Sequence, residues 1–195
     1  MWVLIDNYDS FSFMLYDYLL RIHEDVRIVK SDEITLEELI TLNPERLIIS
    51  PGPKTPKEAL FSSVFVDYFM GRIPILGVCL GHQILGLKLG SCVTKATIPK
   101  HGKLSSVVKQ NAHVLLSGIP TNIQVMRYHS LIVTEWENNQ AIQALLCAEE
   151  DGILLMFVNE NLNLVGFQFH PESISTDQGL LFLTNWDSWL NSKYL

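Results

Sequence analysis

Long apolar runs are missing from this 195-residue chain, and none approaches the length of about 20 residues that a membrane-spanning helix needs. No membrane span is therefore expected. Lysine and arginine runs are missing as well: 14 basic residues face 21 acidic ones, for a formal net charge of -7. That balance argues against a phosphate-binding surface, so no nucleic-acid partner is expected. The first residues, Met1-Trp2-Val3-Leu4-Ile5-Asp6, lack a basic start and meet an acid early, so they read as a strand rather than a signal peptide. Cysteine is scarce and odd in number: Cys79, Cys92 and Cys147 have neither a disulfide framework nor metal-ligand spacing. A reducing compartment, the cytoplasm, is the expected location, with no metal and no cofactor in this chain. Internal repeats, low-complexity tracts and linkers are absent too. The length suits one substantial core, so residues 1–195 are expected to form one domain.

What is present is an alternation. Val3-Leu4-Ile5, Val26-Arg27-Ile28-Val29, Leu47-Ile48-Ile49 and Ile75-Leu76-Gly77-Val78 are short aliphatic runs that end in polar or Gly/Pro turns. Between them lie helical patterns over residues 10–22, 35–42 and 58–70, the second opened by the capping pair Thr35 and Glu38. A fourth helix starts around His82. This order predicts an α/β fold with a mostly parallel central sheet flanked by helices, and such sheets bind ligands at the carboxyl ends of their strands. After Gly90 come short alternating segments at 107–108, 123–126, 131–133, 143–146, 154–158 and 164–169, expected as mostly antiparallel strands of the same domain. Residues 176–191 read as a closing helix.

Gly77-Val78-Cys79-Leu80-Gly81 places a cysteine between two glycines where a strand meets a helix, the form of a nucleophile elbow. Such a turn strains the cysteine backbone, and the glycines remove Cβ atoms that would collide. A helix N-terminus also favours the thiolate. A lone pattern of this kind equally suits a buried structural cysteine. His170-Pro171-Glu172 tips the balance, because it offers a base and, two residues on along extended backbone, a carboxylate on the same side to orient it. Cys79, His170 and Glu172 are the candidate catalytic residues. The N–H of Leu80 and that of Gly52, in the rigid Ser50-Pro51-Gly52-Pro53 loop, are candidate oxyanion donors. His82 follows the elbow directly and is expected to pack or bond locally.

Gly77-Val78-Cys79-Leu80-Gly81-His82-Gln83, Ser50-Pro51-Gly52-Pro53 and His170-Pro171-Glu172 together resemble the class I, or triad, glutamine amidotransferases over nearly the whole chain. Asp6-Asn7-Tyr8-Asp9-Ser10-Phe11, His101-Gly102-Lys103 and Arg127-Tyr128-His129-Ser130-Leu131 are similar to the chorismate-utilising branch, the glutaminase components of anthranilate synthase and aminodeoxychorismate synthase. The resemblance implies that Cys79 attacks the carboxamide of L-glutamine, that His170 moves protons and that Glu172 orients His170. It implies also that Gln83, Ser130 and Leu131 hold glutamine, with Gly52 and Leu80 at the oxyanion. Because the chain leaves no room for an acceptor domain, ammonia would pass to a separate chorismate-binding synthase subunit. Tyr8, Ser10, His101, Gly102 and Lys103 are candidates for the partner-facing side, a helix cap and an ordinary turn being their plain alternatives. The positive mean hydropathy fits apolar surface kept for that partner, or simply a large core. Two departures from the family pattern are Lys54, where glycine is usual, and Met14, near a usual asparagine. A stand-alone thiol hydrolase of γ-glutamyl substrates and a noncatalytic regulatory module are the competing functions.

Overall fold

Both faces of the first strand are apolar, and that dictates a layered molecule. In β1 (Trp2–Asp6), Trp2 and Leu4 point into one hydrophobic cluster while Val3 and Ile5 point into another. A strand buried on both sides must be central, with helices above and below. The computed structural model describes residues 1–193 and has this form; the last two residues of the expected domain lie outside the described residues.

The elements after β1 are α1 (Ser12–Leu20), β2 (Val26–Lys30), α2 (Leu36–Thr41), β3 (Arg46–Ile49), α3 (Leu60–Phe69), β4 (Ile75–Val78) and α4 (Leu80–Lys88). Then follow β5 (Cys92–Lys95), β6 (Lys103–Lys109), a 3-10 turn (Val114–Leu116), β7 (Gln124–Arg127) and β8 (Leu131–Thr134). The chain closes with β9 (Gln143–Ala148), β10 (Leu154–Asn159), β11 (Leu164–Phe167) and α5 (Gly179–Ser192). Nine strands form one sheet in the order β2-β1-β3-β4-β11-β10-β9-β6-β7, and β5 pairs with β8 in a separate ribbon.

The first four strands are parallel, as the alternation predicts. The strands after Gly90 are mostly antiparallel, as expected, and β11 pairs in both senses, parallel to β4 and antiparallel to β10. Sequence position did not indicate this. β11 enters the middle of the sheet beside β4 because Val165 and Phe167 feed one core face while Leu164 feeds the other, a pattern that only a doubly covered strand satisfies. The β5 strand and the 3-10 turn were not anticipated.

Strand order reverses between β1 and β3: β2 lies to one side of β1, and β3 and β4 to the other. Accordingly Leu15 and Leu19 of α1 pack in one cluster with Phe182 and Trp186 of α5, whereas Leu39 of α2, Phe65 of α3 and Ile84 of α4 pack in the other. Ligands bind at such a switch, beyond the carboxyl ends of the strands. Asn7, Ser50 and Cys79 each follow one of these strand ends.

Candidate active site

The elbow is built from close approach. Cys79 sits at φ 51° and ψ -97°, a left-handed conformation that costs a non-glycine residue about 1–3 kcal/mol. Its N–H donates to the Phe167 carbonyl at 2.7 Å, which ties the turn to β11. A Cβ at Gly77 would lie 2.4 Å from the Gly81 carbonyl carbon, and one at Gly81 would lie 2.4 Å from the Ile49 carbonyl oxygen. The two glycines therefore let α4 rise directly over β3 and β4, with Cys79 at its N-terminus.

β11 delivers the second half of the site. His170 and Glu172 are both buried, and His170 Nδ1 meets Glu172 Oε1 at 2.6 Å. Burial by itself pushes the imidazolium's pKa down. The Glu172 carboxylate and the neighbouring Cys79 thiol outweigh that, and His170 is held well above its ordinary value. Its Nε2 makes no hydrogen bond of ordinary geometry, although the sulfur is near enough to favour a proton there. Phe11 and Tyr128 stand edge-on to the imidazole, with centroids 5.8 and 5.1 Å away. The ring is thus wedged between two aromatic side chains.

A cavity of about 260 Å³ opens over Cys79, lined by Gly52, Leu80, Gln83, Ser130, Leu131 and Tyr128 among others. The structure brings together every residue assigned by sequence to the oxyanion or to glutamine. Gln83 Nε2 donates to the Leu131 carbonyl at 3.0 Å, so α4 and the start of β8 are joined beside the pocket. Lys54 also lines the cavity, and it is not among the positive-φ residues, so a side chain there carries no left-handed backbone strain.

The partner-facing candidates are not among the residues that line this cavity. His101 approaches the Tyr128 ring at 6.2 Å, and Phe11, next to Ser10, approaches it at 5.2 Å. Tyr8 is 45% exposed at φ 64°, with its hydroxyl donating to Asp32. Ser10, Gly102 and Lys103 are exposed. Ser10 does not cap α1: that helix starts at Ser12, and its N-cap, Phe11, has no side-chain cap.

Two residues had no role in the sequence reading. Gln168 is fully buried with Nε2 3.7 Å from Cys79 Sγ, and its Oε1 accepts from Gln83 Nε2 at 3.2 Å. A polar residue inside Leu164-Val165-Gly166-Phe167-Gln168-Phe169, two before His170 and so on its side, was the available signal. Asn7 holds the Ser50 loop: its N–H donates to Ser50 Oγ at 2.8 Å and its Nδ2 to the Ser50 carbonyl at 3.1 Å. A Cβ on Gly52 would come within 2.7 Å of the Asn7 Cβ. No sequence pattern announced that contact. His82, by contrast, packs as expected, buried against Phe157.

A cysteine on a strained elbow, a histidine–carboxylate pair and a small polar pocket are the groups that thiol chemistry requires, carried here on an α/β fold. The glutamine amidotransferase class-I family matches residues 3–187, and the chain belongs to that family. It is 41% identical to anthranilate synthase component 2 of Pseudomonas putida, over 91% of each chain. It is 38% identical to the aminodeoxychorismate/anthranilate synthase component 2 of Bacillus subtilis, over 95% of this chain and 94% of that one. A solved glutamine amidotransferase from Thermotoga maritima shares the fold, with a TM-score of 0.72 at 17% identity over 100% of this chain and 85% of that one.

Proposed function

We propose that this chain, residues 1–195 acting as one glutaminase domain, hydrolyses L-glutamine through Cys79, His170 and Glu172. It hands the ammonia to a chorismate-using synthase subunit in the cytoplasm. The observation that carries the reading is the Cys79 elbow opening on a cavity lined by Gly52, Leu80, Gln83, Ser130 and Leu131, with the buried His170–Glu172 pair beside the sulfur and against Tyr128 of the same lining. The component 2 relatives support the choice of partner.

Cys79 passes its proton to His170 and the sulfur attacks the carboxamide carbon of glutamine. The carbonyl oxygen becomes an oxyanion, and the Leu80 and Gly52 N–H groups are the donors aimed at it. His170 returns the proton to the leaving nitrogen, ammonia departs and a γ-glutamyl thioester remains. Water then adds to the thioester as His170 takes its proton, and glutamate leaves as Cys79 recovers its own. Throughout, Glu172 holds the imidazole in place and stabilises its charged form. Tyr8, Ser10 and the loop 101–103, all exposed, receive the synthase subunit. A sealed path between subunits keeps ammonia unprotonated and away from bulk water.

The test uses the complex with its synthase subunit, supplied with chorismate and either glutamine or ammonium. Cys79→Ala is expected to lose glutamine-dependent product while retaining ammonium-dependent product. Glutamine-dependent synthesis by that variant would refute the assignment. The identity of the aromatic amine formed names the pathway.

A further inference from the structure

Behind the pocket lies an internal chain of polar groups that the reaction scheme does not use. Arg127 of β7 is fully buried. Its Nη1 donates to Ser105 Oγ at 2.9 Å, to Glu150 Oε1 at 3.1 Å and to the Asp151 carboxylate at 3.1 and 3.3 Å. Lys100 joins the same two carboxylates at 3.1 and 3.5 Å. Toward the pocket, Arg127 Nε donates to His129 Nε2 at 2.9 Å, and His129 Nδ1 lies 3.0 Å from the Leu131 carbonyl oxygen. That oxygen also accepts from Gln83, which reaches Gln168 and so the side of Cys79.

The hydrogen-bond directions in this chain are forced. A guanidinium has only donors, so His129 Nε2 must present its lone pair to Arg127. The remaining ring proton is then on Nδ1, pointing at the Leu131 carbonyl. Burial, and next the Arg127 charge, push His129 down to about 3, so the ring stays in that neutral form through the working pH range.

We propose that His129 and Arg127 are positioning residues for the glutamine pocket: the Arg127-set imidazole clamps the Leu131 carbonyl and thereby the loop 128–131 that lines it. The inference rests on the reading of that cavity as the glutamine site. The acidic turn at Glu150 and Asp151 anchors the other end of the clamp. Because Ser130 and Leu131 face substrate in ground state and transition state alike, loosening them weakens binding more than chemistry.

The experiment measures kcat and KM for glutamine in the synthase complex, with iodoacetamide labelling of Cys79 as an independent readout of the elbow. His129→Leu keeps an apolar body but no ring N–H, and is expected to raise KM about tenfold, with kcat changed by less than about threefold. His129→Asn puts an N–H near the position of Nδ1 and is expected to recover most of that loss. A folded His129→Leu variant that labels at the normal rate with unchanged KM overturns the proposal, as does an equal KM loss for the Leu and Asn variants. Should His129→Leu fail to fold, the double change Glu150→Gln with Asp151→Asn removes the anchor from the other end. It is expected to raise KM about threefold, and an unchanged KM overturns the clamp. Failure of the glutaminase reading itself shows separately, as glutamine-dependent product from Cys79→Ala.

Discussion

At the scale of single residues, the site depends on atoms that are absent. Gly81 has no Cβ because the Ile49 carbonyl occupies that place, and backbone cannot rotate away as a side chain can. Gly81→Ala is expected to destabilise the fold by about 3 kcal/mol, read from urea unfolding, with loss of glutaminase activity. An unchanged midpoint would contradict the close approach. Charge works as finely at His170. Glu172→Gln keeps the shape of the partner but removes its negative charge, so the imidazolium facing Cys79 is lost at lower pH. Iodoacetamide labelling of Cys79 at neutral pH is expected to slow in that variant, and a wild-type rate would show that the carboxylate only shapes the site. These residues were readable in advance because their chemistry is local: Gly-x-Cys-x-Gly and His-Pro-Glu each place their groups within a few residues of backbone. Gln168 lay in no motif, and Asn7 and Tyr128 lay in motifs that gave them no role, since the groups they meet are far away in sequence.

Elements follow the same division. The helix α2 begins with the capping box anticipated from Thr35 and Glu38, in which each residue's side chain accepts from the other's backbone N–H. This helix end lies on an exposed surface, away from the pocket. Thr35→Ala is expected to cost about 1 kcal/mol in unfolding and to leave glutamine hydrolysis unchanged, and a loss of activity would tie α2 to the site. Gly179, the first residue of α5, is different: a Cβ there would lie 1.9 Å from the Pro171 carbonyl oxygen, inside the His170–Glu172 segment. The helices and the first four strands were legible because their apolar spacing is a local periodicity. The parallel placement of β11 and the β5 ribbon were not, since a short apolar strand reads the same whichever neighbour it meets.

For the whole molecule, buried histidines set the response to acid. His82 is held down at about 3 by burial, and His129 likewise by burial and then by Arg127. Both folded values lie below the unfolded value of about 6.5. The stability they carry is complete above that pH and is lost as pH falls toward 3, with a slope approaching about 1.4 kcal/mol per pH unit for each. His170 is shifted the other way, so its contribution is complete below the unfolded value and is lost only as pH rises through the folded one. It adds nothing to the acid slope. In urea unfolding between pH 6 and 4.5, His82→Leu is expected to flatten the slope by about 1.4 kcal/mol per unit, and an unchanged slope would place the proton uptake elsewhere. Apolar side chains also remain outside the core, including Phe13 at 69% exposure, Ile98 at 68% and Ile174 at 84%.

Sequence alone determined the α/β class, the elbow at Cys79, the His170–Glu172 pairing and the glutamine amidotransferase resemblance. The first three follow from spacing along one stretch of backbone, where strand period, helix period and the geometry of glycine and proline suffice; the resemblance rests on the joint match of separate motifs. Tertiary structure decided that β11 joins β4, which is what carries His170 across to Cys79 over 91 positions of chain. It decided also that His129 lines the pocket and that Gln168, Asn7 and Arg127 bond to Gln83, Ser50 and His129 behind it. Sheet order is a matter of long-range burial, satisfied when every doubly apolar strand finds cover on both faces, and no local pattern specifies which neighbour provides it.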